Sequence, residues 1–307
     1  MKKILVATEK PFAKAAIDQI APVVKEAGYE LALLEKYTDK AELLEAVKDA
    51  NALIVRSDKV TREVIEAAPE LKIVVRAGAG FDNLDLEACT EKGIVAMNTP
   101  GQNSNAVGEL VLGMMVFMAR NGYNGTAGTE LRGKKIGIHA YGNVGHYVAE
   151  VAKGFGMEIY AFDPFVAKEK IEAAGIKPLD SVEELYSTCD YVSLHIPANE
   201  HTKKSINYDL LNKMPKGGAL VNTARKEVIH EEEILKLMAD RPDFTYISDI
   251  APDNKADFEA NFEGRFFFTP KKMGAQTAEA NINAGVAAAK QIIGFLENGD
   301  ETFRVNK

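Results

Sequence analysis

Cysteine is scarce in this 307-residue chain, occurring only as Cys89 and Cys189, and tryptophan is missing altogether. The two cysteines lie far apart, with no CxxC and no cysteine-histidine cluster at metal spacing, so neither a disulfide framework nor a structural zinc is expected. Basic residues are outnumbered: 37 Lys and Arg face 45 Asp and Glu, a formal net charge of −8. That balance argues against nucleic acid or an anionic membrane as partner, although a few local cations can still hold an anionic metabolite. Long apolar runs are absent too. The run Ile4-Leu5-Val6-Ala7 after Lys2-Lys3 stops at Glu9-Lys10-Pro11, too soon for a signal peptide or a membrane span, and is expected as the buried first strand of a cytoplasmic protein. Gly/Ser linkers, low-complexity tracts and short repeats are also lacking.

What is present is ordinary globular composition, 46% hydrophobic and 27% charged, over a length that predicts two domains. Short apolar runs at 4–7, 29–34, 52–55, 73–75 and 94–97 alternate with helix-period stretches, which implies a parallel sheet covered on both faces. A second series begins at Lys135, with runs at 136–139, 158–162, 191–195, 219–222, 245–248 and 266–269. A helix over about 104–119 joins the two series. Another, over 278–297, is too small to fold alone and is expected to dock on the first domain. The fold class is therefore α/β, two doubly wound parallel-sheet domains: residues 1–99 with 276–307, and 100–275.

Within the second series, Ala140-Tyr141-Gly142-Asn143-Val144-Gly145 follows a strand and opens a helix, and the next strand ends at Asp163. Strand, glycine turn, helix, strand and terminal acid form a dinucleotide-binding unit. Gly142 would let the backbone approach a pyrophosphate, Gly145 would allow close helix-to-strand packing, and Asp163 would bond ribose hydroxyls, favouring NAD over NADP. Ala140 stands where a first glycine belongs. Its Cβ is tolerable only if the backbone there keeps a negative φ.

Several further stretches carry a resemblance: 76–85 (RAGAGFDNLD), Asn98-Thr99-Pro100 with Asn103 and Glu109, Leu194-His195-Ile196-Pro197, and Val221-Asn222-Thr223-Ala224-Arg225. With the turn, they make the chain similar to the D-isomer-specific 2-hydroxyacid dehydrogenases, in which a Rossmann NAD domain is inserted into a flavodoxin-like substrate domain. Thr269-Pro270-Lys271-Lys272-Met273-Gly274-Ala275-Gln276-Thr277 most resembles the short-form D-3-phosphoglycerate dehydrogenases of that family. The resemblance implies a homodimer that oxidises a small anionic, phosphorylated 2-hydroxy acid. A glyoxylate or hydroxypyruvate reductase and a non-catalytic NAD-sensing protein are the alternatives.

By resemblance Arg225 grips the substrate carboxylate, a task that suits a planar bidentate fork; sequence alone would favour a salt bridge to Glu227 or Glu231, a preference that the motif context reverses. The family's acid/base histidine is replaced by Lys271, and its orienting glutamate by Asn254. Lys271 is expected to be the acid/base group, its pKa lowered by desolvation, by Arg225 and by neighbouring Lys272, unless Asp253 reaches it. The resemblance also implies NAD contacts from Ala140 to Gly145, Asp163, His195, Ile196, Pro197, Thr223, Ala224 and Asp249. Substrate contacts are expected from Arg56, Ser57, Ala77, Gly78, Ala79 and Asn103, with Arg76 a further phosphate candidate and backbone N–H donors in the 77–80 loop. No metal site is expected. His139 and His230 read as structural.

Overall fold

The computed structural model describes residues 1–306 and divides into two compact units, Met1–Asn103 with Gln276 onward, and Ser104–Ala275. In the first unit the elements run β1 (Lys3–Thr8), α1 (Lys14–Glu26), β2 (Glu30–Glu35), α2 (Lys40–Ala46), β3 (Ala52–Val55), α3 (Arg62–Glu66), β4 (Ile73–Arg76), α4 (Leu86–Glu91) and β5 (Val95–Asn98). Every strand pair is parallel, in the order β2-β1-β3-β4-β5. This is the flavodoxin-like order. All four residues of β3 are buried, as expected of a strand covered on both faces.

The second unit contains α5 (Ser104–Ala119), β6 (Lys135–His139), α6 (Asn143–Gly154), β7 (Glu158–Phe162), α7 (Lys168–Ala173), β8 (Lys177–Pro178), α8 (Val182–Thr188), β9 (Tyr191–Leu194), α9 (Tyr208–Leu211), β10 (Ala219–Asn222), α10 (Glu231–Asp240), β11 (Thr245–Ser248), α11 (Lys255–Asn261) and β12 (Phe266–Phe268). Its parallel sheet is ordered β12-β11-β10-β9-β6-β7-β8. The order is that of a Rossmann domain with one strand added beyond its last, and it reverses at β6, where such sheets take ligands at their carboxyl ends. Helix α5 packs on α6 so closely that a Cβ at Gly108 would lie 3.1 Å from the backbone of Tyr147. Its buried face (Val111, Leu112, Met114, Met115) joins the core of this unit.

The last helix, α12 (Ala278–Asn298), belongs to the first unit. The Thr277 hydroxyl accepts the N–H of Ala280 at its start, and left-handed Gly299 closes its end. Ala284, Ala288 and Ile292 share one core with Phe12, Ala16 and Ile20. A side chain at Gly285 would come within 2.8 Å of Ile20. The small residues of α12 thus serve close packing against α1.

Candidate active site

The dinucleotide turn is anchored at both ends. Ala140 N–H donates to Phe162 O (2.9 Å), and Tyr141 N–H donates to Asp163 Oδ2 (2.8 Å), while Asp163 Oδ1 accepts the N–H of Phe165 (2.8 Å). The carboxylate stands at the end of β7 with each oxygen taking one bond, so each keeps a lone pair for a ribose hydroxyl. The expectation for Ala140 fails: its φ is +78°, in the left-handed region. The backbone needs that turn for the β6 chain to reach both Phe162 O and Asp163, and the alanine Cβ is strained there.

Gly142 is the N-cap of the twelve-residue α6 and gives no side-chain cap, and a Cβ on it would meet nothing within 4 Å. The result is a ledge of helix N–H groups with open space before it, which suits a pyrophosphate. At Gly145 a Cβ would sit 2.3 Å from Ala140 O and 2.9 Å from Ile138. Thr223 Oγ1 and His195 Nε2, both near strand ends, are among the buried polar atoms with no partner among the described residues. Buried donors and acceptors are rarely left unpaired, and these two fit a ligand that brings its own polar groups. Burial and neighbouring His139 push the His195 imidazole down to about 3, and burial pushes His139 down to about 4, so both rings are neutral. The His139 Nδ1 meets Tyr186 OH at 3.2 Å.

Two cations converge at the end of β10. Arg225 Nη1 and Lys272 Nζ both donate to Ala224 O, each at 3.0 Å. The bend that allows this is held by buried Asn222, whose Oδ1 accepts Ala224 N–H (3.0 Å) and whose Nδ2 donates to Arg225 O (2.9 Å). Glu231 Oε1 takes the N–H of Asp253 (3.1 Å) rather than Arg225, which has no carboxylate partner among the described residues. The lysine in this pair is Lys272, not the expected Lys271. Desolvation of its ammonium end, then Arg225, lowers it to about 8, against smaller opposing effects of Asp249 and Glu227, although the residue as a whole is exposed. Asp253 does not reach the pair, because it is bonded to Lys226 at 2.6 Å. Asn254 turns its Nδ2 to Glu231 O (2.8 Å), along the wall of a cavity of about 910 Å³ shared with Lys203, Lys226 and His230.

The loop bearing Lys272 is clamped by Asp249, fully buried after β11. Asp249 Oδ1 accepts Thr269 Oγ1 (3.0 Å) and Met273 N–H (2.7 Å), and Oδ2 accepts Gly274 N–H (2.8 Å). Sequence reasoning missed this clamp; the signal for it was an acid at a strand end facing a glycine loop, which spacing alone does not pair. One lone pair on Oδ2 stays free.

In the first unit, Arg56 is already occupied. Its guanidinium donates to Lys10 O and Pro11 O (3.3 Å each), makes a short hydrogen bond to Asn281, and lies 5.1 Å over the Phe12 ring. Arg56 therefore braces α12 in this structure. Arg76 donates through Nε to Arg56 O (3.0 Å), and its Nη1 lies 1.6 Å from where a Gly78 Cβ would be. Only glycine, here at φ +151°, leaves that place for the guanidinium. Ala77 and Gly78 spend their N–H groups on Val55 O and Arg76 O. Of the expected 77–80 donors, this takes away the first two. Ser57 is exposed and Asn103 half-buried. A small cavity of about 90 Å³ lies among Glu9, Lys10, Arg56, Ser57 and Asp58.

Comparison with known proteins gives this geometry its family. The pattern described as "D-isomer specific 2-hydroxyacid dehydrogenase, NAD binding domain" matches residues 113–267. A hydroxypyruvate reductase of Thermotoga maritima is 34% identical over 88% of the chain and 92% of its own length. The chain belongs to the D-isomer-specific 2-hydroxyacid dehydrogenases. As a member of that family it carries the NAD-binding domain in its 104–275 unit, and NAD is its cofactor. A D-3-phosphoglycerate dehydrogenase of Methanocaldococcus jannaschii is 38% identical over 82% of this dehydrogenase-family chain, which spans about half (51%) of that relative's length. The NAD+-bound 3-phosphoglycerate dehydrogenase of Entamoeba histolytica has 49% identity and a TM-score of 0.85, covering 100% of this chain and 99% of that one. No helix among the described residues is long and apolar enough to cross a membrane, and they hold no His/Cys/Asp/Glu group able to bind a metal.

Proposed function

We propose that the chain oxidises D-3-phosphoglycerate to 3-phosphohydroxypyruvate, the first oxidation on the way to serine. The observation that carries this reading is the convergence of Arg225 and Lys272 on Ala224 O with no carboxylate partner among the described residues. A guanidinium fork beside a lysine of lowered pKa is a carboxylate anchor beside a base. Bound NAD would supply the hydride acceptor, held by the Gly142 ledge, Asp163, Thr223 and the free lone pair of Asp249. Arg225 binds the substrate carboxylate and fixes C2. The neutral Lys272 amine accepts the C2 hydroxyl proton as the hydride departs, and the ammonium so formed returns it in reduction. We assign this role to Lys272 in place of Lys271. The carboxylate of Asp249 positions the lysine through its loop and touches no reacting atom of the substrate. For the phosphate we favour Arg76, whose terminal nitrogens are not used as those of Arg56 are, with the Arg56 charge close by.

The test is NADH formation from D-3-phosphoglycerate and from D-glycerate between pH 7 and 10. Turnover of wild type should rise through about pH 8, as Lys272 loses its proton, and Lys272→Ala should lose roughly 10²–10⁴-fold in kcat. Arg76→Gln should raise KM for D-3-phosphoglycerate about tenfold or more while leaving D-glycerate nearly unaffected. Absence of NADH from the phosphorylated substrate across that range overturns the reading. Faster turnover of the unphosphorylated acids would favour a hydroxypyruvate reductase, as the likeness to the Thermotoga maritima enzyme over most of its length suggests.

A further inference from the structure

The family's histidine can carry a proton but cannot condense with a ketone. A primary amine can do both. We propose that Lys272 is also a covalent capture site for 2-oxo acids, its ε-amine forming an imine with the carbonyl carbon while Arg225 holds the adjacent carboxylate. The inference rests on the reading of Arg225 and Lys272 as anchor and base.

Four features of the site support it. Among the described residues the Nζ is bonded only to a neutral carbonyl, Ala224 O, and Asp253 is taken by Lys226, so none of their carboxylates is bonded to the ammonium. The groups whose charge reaches the amine are Arg225, Asp249 and Glu227, of which Arg225 acts most strongly and favours the neutral form, as does the desolvation of the ammonium end. Arg225 donates to the same oxygen, so a carboxylate bound by its guanidinium brings the neighbouring carbonyl carbon beside Nζ. Finally, the Asp249 clamp fixes the loop on both sides of the lysine, at Thr269 and at Met273 and Gly274, while Lys272 as a whole residue is exposed.

In the capture step the amine lone pair adds to C2 and forms the C–N bond, and the carbonyl π pair moves to oxygen, which takes a proton as nitrogen loses one. The carbinolamine oxygen then leaves as water with a proton from solvent. Nitrogen gives its second proton to solvent, and C=N remains. One water is released, and nothing is oxidised or reduced. The same amine that accepts a proton during oxidation can therefore hold the oxo acid reversibly above about pH 8, a built-in brake by product.

The experiment uses the whole chain, hydroxypyruvate as probe, no nicotinamide cofactor, and sodium cyanoborohydride to reduce any imine to a stable secondary amine, with peptide mass spectrometry to locate it. The expected result is labelling at Lys272 at least tenfold faster than at exposed Lys216, with a rate that climbs between pH 7 and 8.5. Lys271→Arg should keep the label and Lys272→Arg should lose it. Labelling of Lys272 no faster than of Lys216, or labelling of Lys271 in its place, overturns the proposal. Turnover separates the two readings: undiminished kcat in Lys272→Ala removes the base reading and with it the basis of capture, whereas kcat lost in Lys272→Ala with Lys272 unlabelled in wild type removes capture alone.

Discussion

Ala140 pays for its place in the turn with a left-handed backbone, and a single substitution should relieve it. Exchange of an L-residue for glycine at positive φ recovers about 1–2 kcal/mol of strain and costs part of that in unfolded-chain entropy. Ala140→Gly should therefore raise stability by about 0.5–1 kcal/mol in urea titration, with NAD affinity little changed. Gly145→Ala should do the reverse. Its Cβ would stand 2.3 Å from Ala140 O, so a loss of about 1–3 kcal/mol and weaker NAD binding by calorimetry are expected. At this scale the sequence was partly misleading. Two adjacent lysines, Lys271 and Lys272, offer the same chemistry, and only the path of the loop decides which one meets Ala224 O.

At the scale of elements, the strand-end carboxylate Asp249 does what no cap or helix does here: it ties three donors of the 269–274 loop to β11. Asp249→Asn turns one acceptor into a donor facing an N–H. Left unsatisfied, such a group costs about 1–3 kcal/mol. We expect a matching drop in urea stability and a fall in kcat of about tenfold or more, with the basic limb of the pH profile displaced because Lys272 no longer sits against Arg225. An unmoved pH profile would mean that the clamp is only structural. The elements themselves were legible where they are periodic and buried. The runs at 52–55 and 219–222 read as strands because both faces of each are covered and every residue is apolar or strand-end polar. The two-residue β8 and the four-residue α9 are too short to carry a period, although Asn207 caps α9 by accepting the N–H of Leu210.

For the molecule as a whole, acid should be the weakness. His139 and His195 titrate near 6.5 when exposed, but burial holds them at about 4 and about 3 in the folded chain. Between those values the unfolded chain binds protons that the native one refuses. Stability should therefore be unaffected by these groups above pH 6.5 and fall as pH drops towards 4, by on the order of a few kcal/mol for the pair. His195→Asn should flatten that slope in urea titrations from pH 7 to 4.5; an unchanged slope would contradict the assignment. The two-unit architecture was legible from the two series of runs, and the family from its motifs, whereas the occupied state of Arg56 was not, since its partner Asn281 lies 225 residues away in sequence. The shared oxygen of Ala224 has one more effect. It gathers two side-chain cations on a dipole that cannot neutralise them, in a chain whose net charge is −8. Such a spot draws small anions electrostatically against the repulsion of the rest of the surface, and added electrolyte should mask it, so that KM for a carboxylate substrate climbs with ionic strength and chloride competes with it.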